Sequence, residues 1–490
     1  MKKSTIFILS FMIFLSGNLF SALHYVQPVS AGTGDGSSWA NASNDLQLMI
    51  NSASSGDEIW VAAGTYIPVY TANTAITASP ISDPGNVADA FVLKSGIKIY
   101  GGFTGTETSF SARNWRTNTT VLSGQLNGTT RGYHVFIISG NLGTNACLDG
   151  FTISGGKGYS DATKAVTVNG NTIDSRRGAG IYNVGTSTSS PVIRNLTITG
   201  NESVEAGGGA GVFCGTGNNT RIENVIITSN TQGSGVRLAQ TAAPVLINCL
   251  ITKNTTSGNG GGIVVTETTA LPTIINCTIA DNTAANYGIF TATPIIMANS
   301  IVWGNTGTQV TFNLTGSSVN YCLIQNTTPA GTGNLNGSSA GNAPQFIDTA
   351  NGNYQLASAS TSVDKGNNAS YSTYGMLASD VDNAGNPRLS NTTIDLGAFE
   401  YQNPGLGTGE NGLSDDLMGS IFIYPNPATN FVSISSVSEN TIVKIIDING
   451  KLIQNVTNNL NRVNLNLNAG IYFIKIEDGK KNSVQKLIVK

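Results

Sequence analysis

PVIRNLTITGN (191–201), TRIENVIITSN (220–230), PVLINCLITKN (244–254), PTIINCTIADN (272–282) and PIIMANSIVWGN (294–305) are variations of one unit, P-x-I-x-N-x-x-I-x-x-N, with one extra residue in the last. Worn copies stand on either side, DGFTISGG from Asp149 and VNYCLIQN from Val319. The first Asn of each copy falls at Asn195, Asn224, Asn248, Asn276, Asn299 and Asn320, about 21 to 29 residues apart, which is the period of a solenoid. Between these units a glycine-led apolar run recurs once per period: GAGIYN, GAGVFC, GSGVRL, GGGIVV and YGIF. Each period thus supplies three short strands with corners between them. Ile, Val and Thr dominate and no stretch keeps an apolar period near 3.6, so the solenoid is built of strands and not of helices.

Asn suits a corner because it enters the left-handed backbone region with little strain. In a parallel coil, equivalent side chains lie about 4.8 Å apart. Asn195, Asn224, Asn248, Asn276, Asn299 and Asn320 are therefore expected to stack as a ladder of amides, with Ile, Leu and Val columns beside them forming the core. Cys249 and Cys277 occupy equivalent positions in such a column, where either thiols or a bridge would fit. Upstream, EIWVAAGTY, FVLKSGIKIYGGF, TVLSGQL and YHVFIISG have the texture of opening coils. Before them Leu46, Met49 and Ile50 share one face of a short helix, expected to cap the open end of the solenoid.

Composition narrows the function. Charged residues are 11% of the chain and the net charge is −3, which leaves no basic surface for nucleic acid. Five Cys (Cys147, Cys214, Cys249, Cys277, Cys322) lack CxxC spacing and sit in apolar runs, as small core residues do. With His24 and His134 the only histidines, no histidine metal site is expected, and no cofactor is implied. The chain is expected to be a monomer.

Both ends read as addresses. Lys2 and Lys3 precede an apolar run from Ile6 to Leu15 and then Ser21-Ala22, the order of a secretory signal spanning 1–22; the run is short for a membrane anchor. Residues 402–420 are rich in Gly and polar residues and read as a linker. From 421 to 490 apolar and polar residues alternate between Asn-Gly, Ala-Gly and Asp-Gly turns, the pattern of a small antiparallel β-sandwich.

Three segments of that last domain, IYPNPATNFV, VKIIDINGKLI and NAGIYFIKI running on to KLIVK, carry a resemblance to the type A C-terminal sorting domain of the type IX secretion system. The motif positions are Pro425, Asn426, Pro427, Gly450, Lys451, Gly470, Tyr472 and Lys486. The resemblance implies passage through the periplasm, engagement of the type IX machinery, export across the outer membrane, removal of the tail, and attachment to surface lipopolysaccharide. The region from 147 to 401, with 23–146 as cap and opening coils, resembles the pectin-lyase-like right-handed parallel β-helix. Its last part, from QFIDTANGNYQLASASTSVDKGNN to DLGAFEYQ, resembles the choice-of-anchor Q domain, which implies surface display and no particular activity.

Candidate chemistry is sparse. Asp174, Arg176 and Arg177 in the insertion after Gly156, with Glu202 and Glu205, are the charged residues from which a lyase could draw a base and a carboxylate clamp; the plainer reading is a solvated loop. A hydrolase would need two carboxylates held across the bond, and no such motif occurs. Asp380 and Asp382 suggest a calcium loop, but Ala384 stands where a ligand is needed, so a turn is expected. Trp60 is expected in the core, and Trp115, Tyr100 and Phe103 are placed near a loop where they could meet sugar rings. Three functions stay open: adhesion or glycan binding, polysaccharide cleavage as lyase or hydrolase, and a structural spacer.

Overall fold

A computed structural model describes residues 21–77, 80, 82–186, 190–266, 272–311, 316–377, 380–402, 423–424, 428, 430–434, 441–447, 450–456, 463–478 and 481–489. Residues 1–20 of the expected signal segment, residues 403–420 of the linker, and Pro425, Asn426 and Pro427 lie outside them. The chain divides into two compact units, residues 1–402 and 403–490.

In the first unit the chain winds through three parallel sheets of ten, nine and eight strands. One coil shows the plan. Val192–Arg194 joins the first sheet, Thr197–Thr199 the second and Val212–Cys214 the third. The next coil repeats it in register, Ile193 on Ile222 and Ile198 on Ile227. The residue facing inward is apolar in every such strand: Ile193, Ile222, Leu246, Ile274 and Met297 in the first sheet are all fully buried. Ile198, Ile227, Ile251, Ile279 and Val302 do the same in the second, and Ile181, Val212, Val236, Ile263 and Ile289 in the third. Each such side chain contributes roughly 1.5–3 kcal/mol on burial, so the columns stabilise the whole length of the coil. All five cysteines are buried free thiols, Cys249 and Cys277 among them.

Asn195, Asn224, Asn248, Asn276 and Asn299 all turn the corner between first and second sheets with φ between 50° and 56°. They do not form the expected continuous ladder. Asn224 reaches Asn195 at 3.5 Å and Asn299 reaches Asn276 at 3.0 Å, but Asn248 turns away to the Tyr371 hydroxyl at 2.8 Å. Asn320 is not a corner residue at all: it pairs in register with Ala298, and Tyr321 takes the positive φ of 51°. The continuous ladder belongs instead to the last Asn of each unit. Asn201 donates to Asn230 at 3.0 Å, and Asn230 to Asn254, Asn254 to Asn282 and Asn282 to Asn305 follow, each at 2.9 Å. Gln309 accepts the final amide at 2.9 Å. These side chains are buried at the corner after the second sheet. There an unpaired amide costs about 1–3 kcal/mol, and an amide neighbour in the next position of the stack accepts its donor, with Gln309 taking that place at the end.

The helix Leu46–Ser52 closes the starting end. Asp45 caps it by accepting from Leu48 N at 2.9 Å, and Leu46, Met49 and Ile50 pack into the core. Gln47 then pairs with the edge strand, accepting from Val92 N at 2.8 Å and donating to Val92 O at 3.2 Å, so the first rung is covered instead of exposed.

The coil does not extend to residue 401. Its last second-sheet strand is Leu323–Ile324, and the chain then returns over the outside of the rungs. This strap, residues 340–401, covers Ile247, Ile275 and Ala298 with Tyr371, Met376 and Ile394, and covers Leu250 and Ala280 with Tyr354, Ala398 and Phe399. Asp382 organises a turn by accepting from Ala384 N and Asn386 N, both at 2.9 Å, and from Glu400 N at 3.1 Å.

The second unit holds a three-stranded and a four-stranded antiparallel sheet over a core that includes Val432, Val443, Ile445, Ile474 and Leu487. Gly450 sits at φ 82° in the hairpin, where Lys451 N donates to the Asp447 carboxylate at 2.9 Å. Gly470 opens the strand Gly470–Asp478, the Tyr472 hydroxyl donates to Asn468 O at 3.0 Å, and Lys486 pairs in register with Phe473.

Candidate ligand-binding cleft

One register column faces outward along the first sheet: Tyr25, Trp60, Tyr100, Asp149, Arg194, Glu223, Ile247, Ile275, Ala298 and Asn320. It changes chemistry along its length. The aromatic start is not part of the inner core. Trp60 stacks on Phe103 at 4.5 Å between ring centroids, Tyr25 meets Trp39, and Tyr100 meets Phe110, all under the segments at 37–41 and 104–113. Tyr100 and Phe103 are therefore enclosed and do not present their rings to a sugar. The aliphatic finish lies under the strap.

Between the two covers the column is ionic. Asp149, 1% exposed in its side chain, accepts from Arg113 at 2.6 Å, Arg194 at 2.7 Å and Asn195 at 2.8 Å. Arg113 also donates to Gly101 O, which fastens the 104–119 loop to the sheet. Gly150, at φ 84°, permits that approach: a Cβ there would collide with the Arg113 guanidinium.

A cleft of about 320 Å³ opens where the covers meet. Its floor is the corner between first and second sheets on three successive coils, with Gly150, Phe151 and Thr152 on the first, Asn195 and Thr197 on the second, and Ile226 on the third. Trp115, Arg116 and Thr119 come from the loop, Asn383 from the strap, and the buried Thr120 opens the strand Thr120–Ser123 one coil before Thr152. The Arg116 guanidinium lies 4.1 Å from the Trp115 ring centroid and donates from Nη2 to Asp382 O at 3.1 Å, joining loop to strap. Asn383 Nδ2 donates to Asn248 O, fixing the other wall. Sequence reasoning singled out Trp115 but not Arg116 or Asn383, whose partners lie 266 and 135 residues away in the chain.

The charged candidates lie elsewhere and are already engaged. Asp174 grips Arg176 with a two-oxygen fork at 2.9 and 2.7 Å, and that contact pushes the guanidinium further up from its ordinary value. A general base needs the opposite shift. Arg177 donates to Glu205 at 2.6 Å, Arg237 holds the other Glu205 oxygen at 2.9 Å, and Glu202 lies between Arg131 at 3.0 Å and Lys157 at 3.1 Å. The four residues Arg176, Arg177, Glu202 and Glu205 thus form parts of an ion-pair row joining the insertion to the coil. Nearby His134 is enclosed, its Nδ1 3.0 Å from Gly178 O, and burial lowers its pKa to about 4. Among the described residues no group of three or more His, Cys, Asp or Glu side chains is placed to hold a metal ion.

Residues 210–369 match the family described as right handed beta helix region, and residues 422–490 match the secretion system C-terminal sorting domain. The fold is a right-handed parallel β-helix followed by a type IX secretion sorting domain. That tail directs the β-helix to secretion or to the cell surface. Among solved structures, a crystal structure of pectate lyase Pel9A aligns at a TM-score of 0.42 and 14% identity, covering 77% of this chain and 96% of that one. No curated protein matches the sequence.

Proposed function

We propose that this β-helix is a surface-displayed glycan-binding protein that holds a saccharide in the cleft between the 104–119 loop and the strap, without cleaving it. The cleft itself carries the reading. It joins an aromatic ring stacked on a guanidinium to hydroxyls of Thr119, Thr152 and Thr197 and amides of Asn195 and Asn383, the flat apolar surface and convergent polar groups that a pyranose needs. Burial lowers Arg116 from its ordinary value and the Asp382 carboxylate opposes that shift, but no carboxylate is among the described residues that line the cleft to complete an acid–base pair, which supports binding ahead of bond cleavage. Export by the signal segment through the periplasm, removal of the sorting domain near the linker, and retention on lipopolysaccharide complete the proposal.

The test is a screen of the purified full-length protein against neutral and acidic polysaccharides and oligosaccharides, recording binding together with new reducing or unsaturated ends. Binding that is lost in Trp115→Ala, with no new ends, is expected. Appearance of new ends would replace this reading with an enzymatic one and return attention to the insertion at 157–177.

A further inference from the structure

The cleft is selective in charge and in length. We infer that its ligand is a short anionic saccharide determinant, one or two rings bearing a single carboxylate or sulfate, recognised as a chain end or branch and not as an internal stretch of polyanion. The inference rests on the glycan-binding reading above.

Charge comes first. Arg116 is the one charged residue among those lining the cleft. Its guanidinium is held on two sides, by the Trp115 ring against one face and by the bond from Nη2 to Asp382 O, and Gly385, where a Cβ would stand 3.1 Å from Cζ, leaves it room. Among the described residues Nε and Nη1 have no hydrogen-bond partner. A planar guanidinium fixed in this way has already lost its rotamer freedom, so its remaining donors meet an oxyanion with little further ordering cost. The carboxylate that acts on Arg116 is that of Asp382, whose oxygens are already occupied by Ala384 N, Asn386 N and Glu400 N, and those of Asp149 are occupied by Arg113, Arg194 and Asn195.

Length follows from the floor and the walls. Three successive coils span two rung spacings, roughly 10 Å, about the length of a disaccharide. The loop stands at one side and the strap at the other, and Arg116 joins them, so the volume of about 320 Å³ lies at the small end of ligand pockets, which run from roughly 300 to 1,000 Å³. One fixed cation in a cavity of this size matches one anionic group, whereas an internal polyanion segment would bring further charges against uncharged Thr and Asn side chains.

Calorimetry on the full-length protein tests this with lactose, 6-sulfolactose, sialyllactose, a glucuronic-acid disaccharide and polygalacturonate as probes. The expected result is that at least one short charged probe binds about ten- to a hundred-fold more tightly than lactose. That preference falls to near unity in Arg116→Gln, is partly kept in Arg116→Lys, and weakens with salt. Thermal unfolding of both variants at the wild-type midpoint certifies that the fold is intact. Lactose binding as tightly as its charged counterparts, unchanged by Arg116→Gln, overturns the charge selectivity and leaves glycan binding standing. Polygalacturonate binding more tightly per chain end than every short probe overturns the length selectivity. If no saccharide binds here or in the wider screen, the glycan-binding reading itself falls.

Discussion

The two ends of the outward column of the first sheet and its middle are built on the same inner core yet treated oppositely. At Trp60 and Tyr100 the outward residues are aromatic and roofed by the chain that follows them; at Ile247, Ile275 and Ala298 they are aliphatic and roofed by the strap, which arrives from much later in the sequence. At Asp149, Arg194 and Glu223 they are ionic, with Asp149 enclosed by Arg113 from the loop, and the cleft opens beside them at the corner between first and second sheets. The lesson is that a solenoid's inner columns fix the coil, while its outer columns decide which stretches are covered and which stay available to a ligand.

Replacing side chains along the column can break or sharpen that contrast. The largest loss is expected at the aromatic end, where Trp60→Ala should cost about 4 kcal/mol in denaturant unfolding of the first unit, because the cavity left beside Phe103 has no solvent to fill it favourably. Asp149→Ala should cost about 3 kcal/mol: Arg113, with 5% of its side chain exposed, loses its carboxylate and stays buried. A cost near zero would mean that the middle is as solvated as its ion pairs suggest at first sight.

The covered aliphatic end should also respond to pH. Burial pushes Asp395 up to about 6 and Glu400 up to about 8; they share Arg388, with Asp364 beside Asp395 and Asp382 accepting from Glu400 N. Both folded values lie above the ordinary carboxylate range, so the folded strap prefers the protonated forms. Its contribution is full below about pH 4 and is lost as pH rises through about 6 and then about 8. The unfolding midpoint of the first unit is expected to be higher at pH 5 than at pH 9, and Glu400→Gln should flatten the upper part of that slope. A midpoint that rises with pH would show that Arg388 keeps both carboxylates ionised. The smallest effect is expected at the ion-pair row, where Arg176→Ala should change stability by about 0.5 kcal/mol or less and leave saccharide binding unaltered.

The coil was legible because one physical requirement, the same side chain every rung, writes itself into the sequence as a repeat. That legibility had limits of a particular kind. Both Asn positions of the unit recur, and sequence alone does not show which one points inward; the partners do, since Asn201, Asn230, Asn254, Asn282 and Asn305 bond one another whereas Asn248, Asn276 and Asn299 are bonded by the strap. The slip at Asn320 arose because an Asn stands one residue before the corner, where Tyr321 does the turning. The cleft was half legible: Trp115 drew notice as an aromatic near a loop, but Arg116 gains its setting from Asp382, 266 residues on, and Asn383 gains its own from Asn248, 135 residues back. Such pairings leave no local pattern. The apolar Ile247 and Ile275, beside the polar Arg194 and Glu223 at the same position of the unit, were the available sign that something covers the later rungs.

The strap also determines how the first unit answers a mechanical load. Gly397 N donates to Asn299 O at 2.8 Å and Ala398 N to the Thr278 hydroxyl at 3.0 Å, so the chain leaves this body from its flank, one to two rungs before the terminal one. A pull on that exit must peel the strap away before it can unwind a rung. Peeling removes Asn383 and the Asp382 carbonyl from the cleft, so a tethered molecule under shear would surrender its ligand while its coil was still wound.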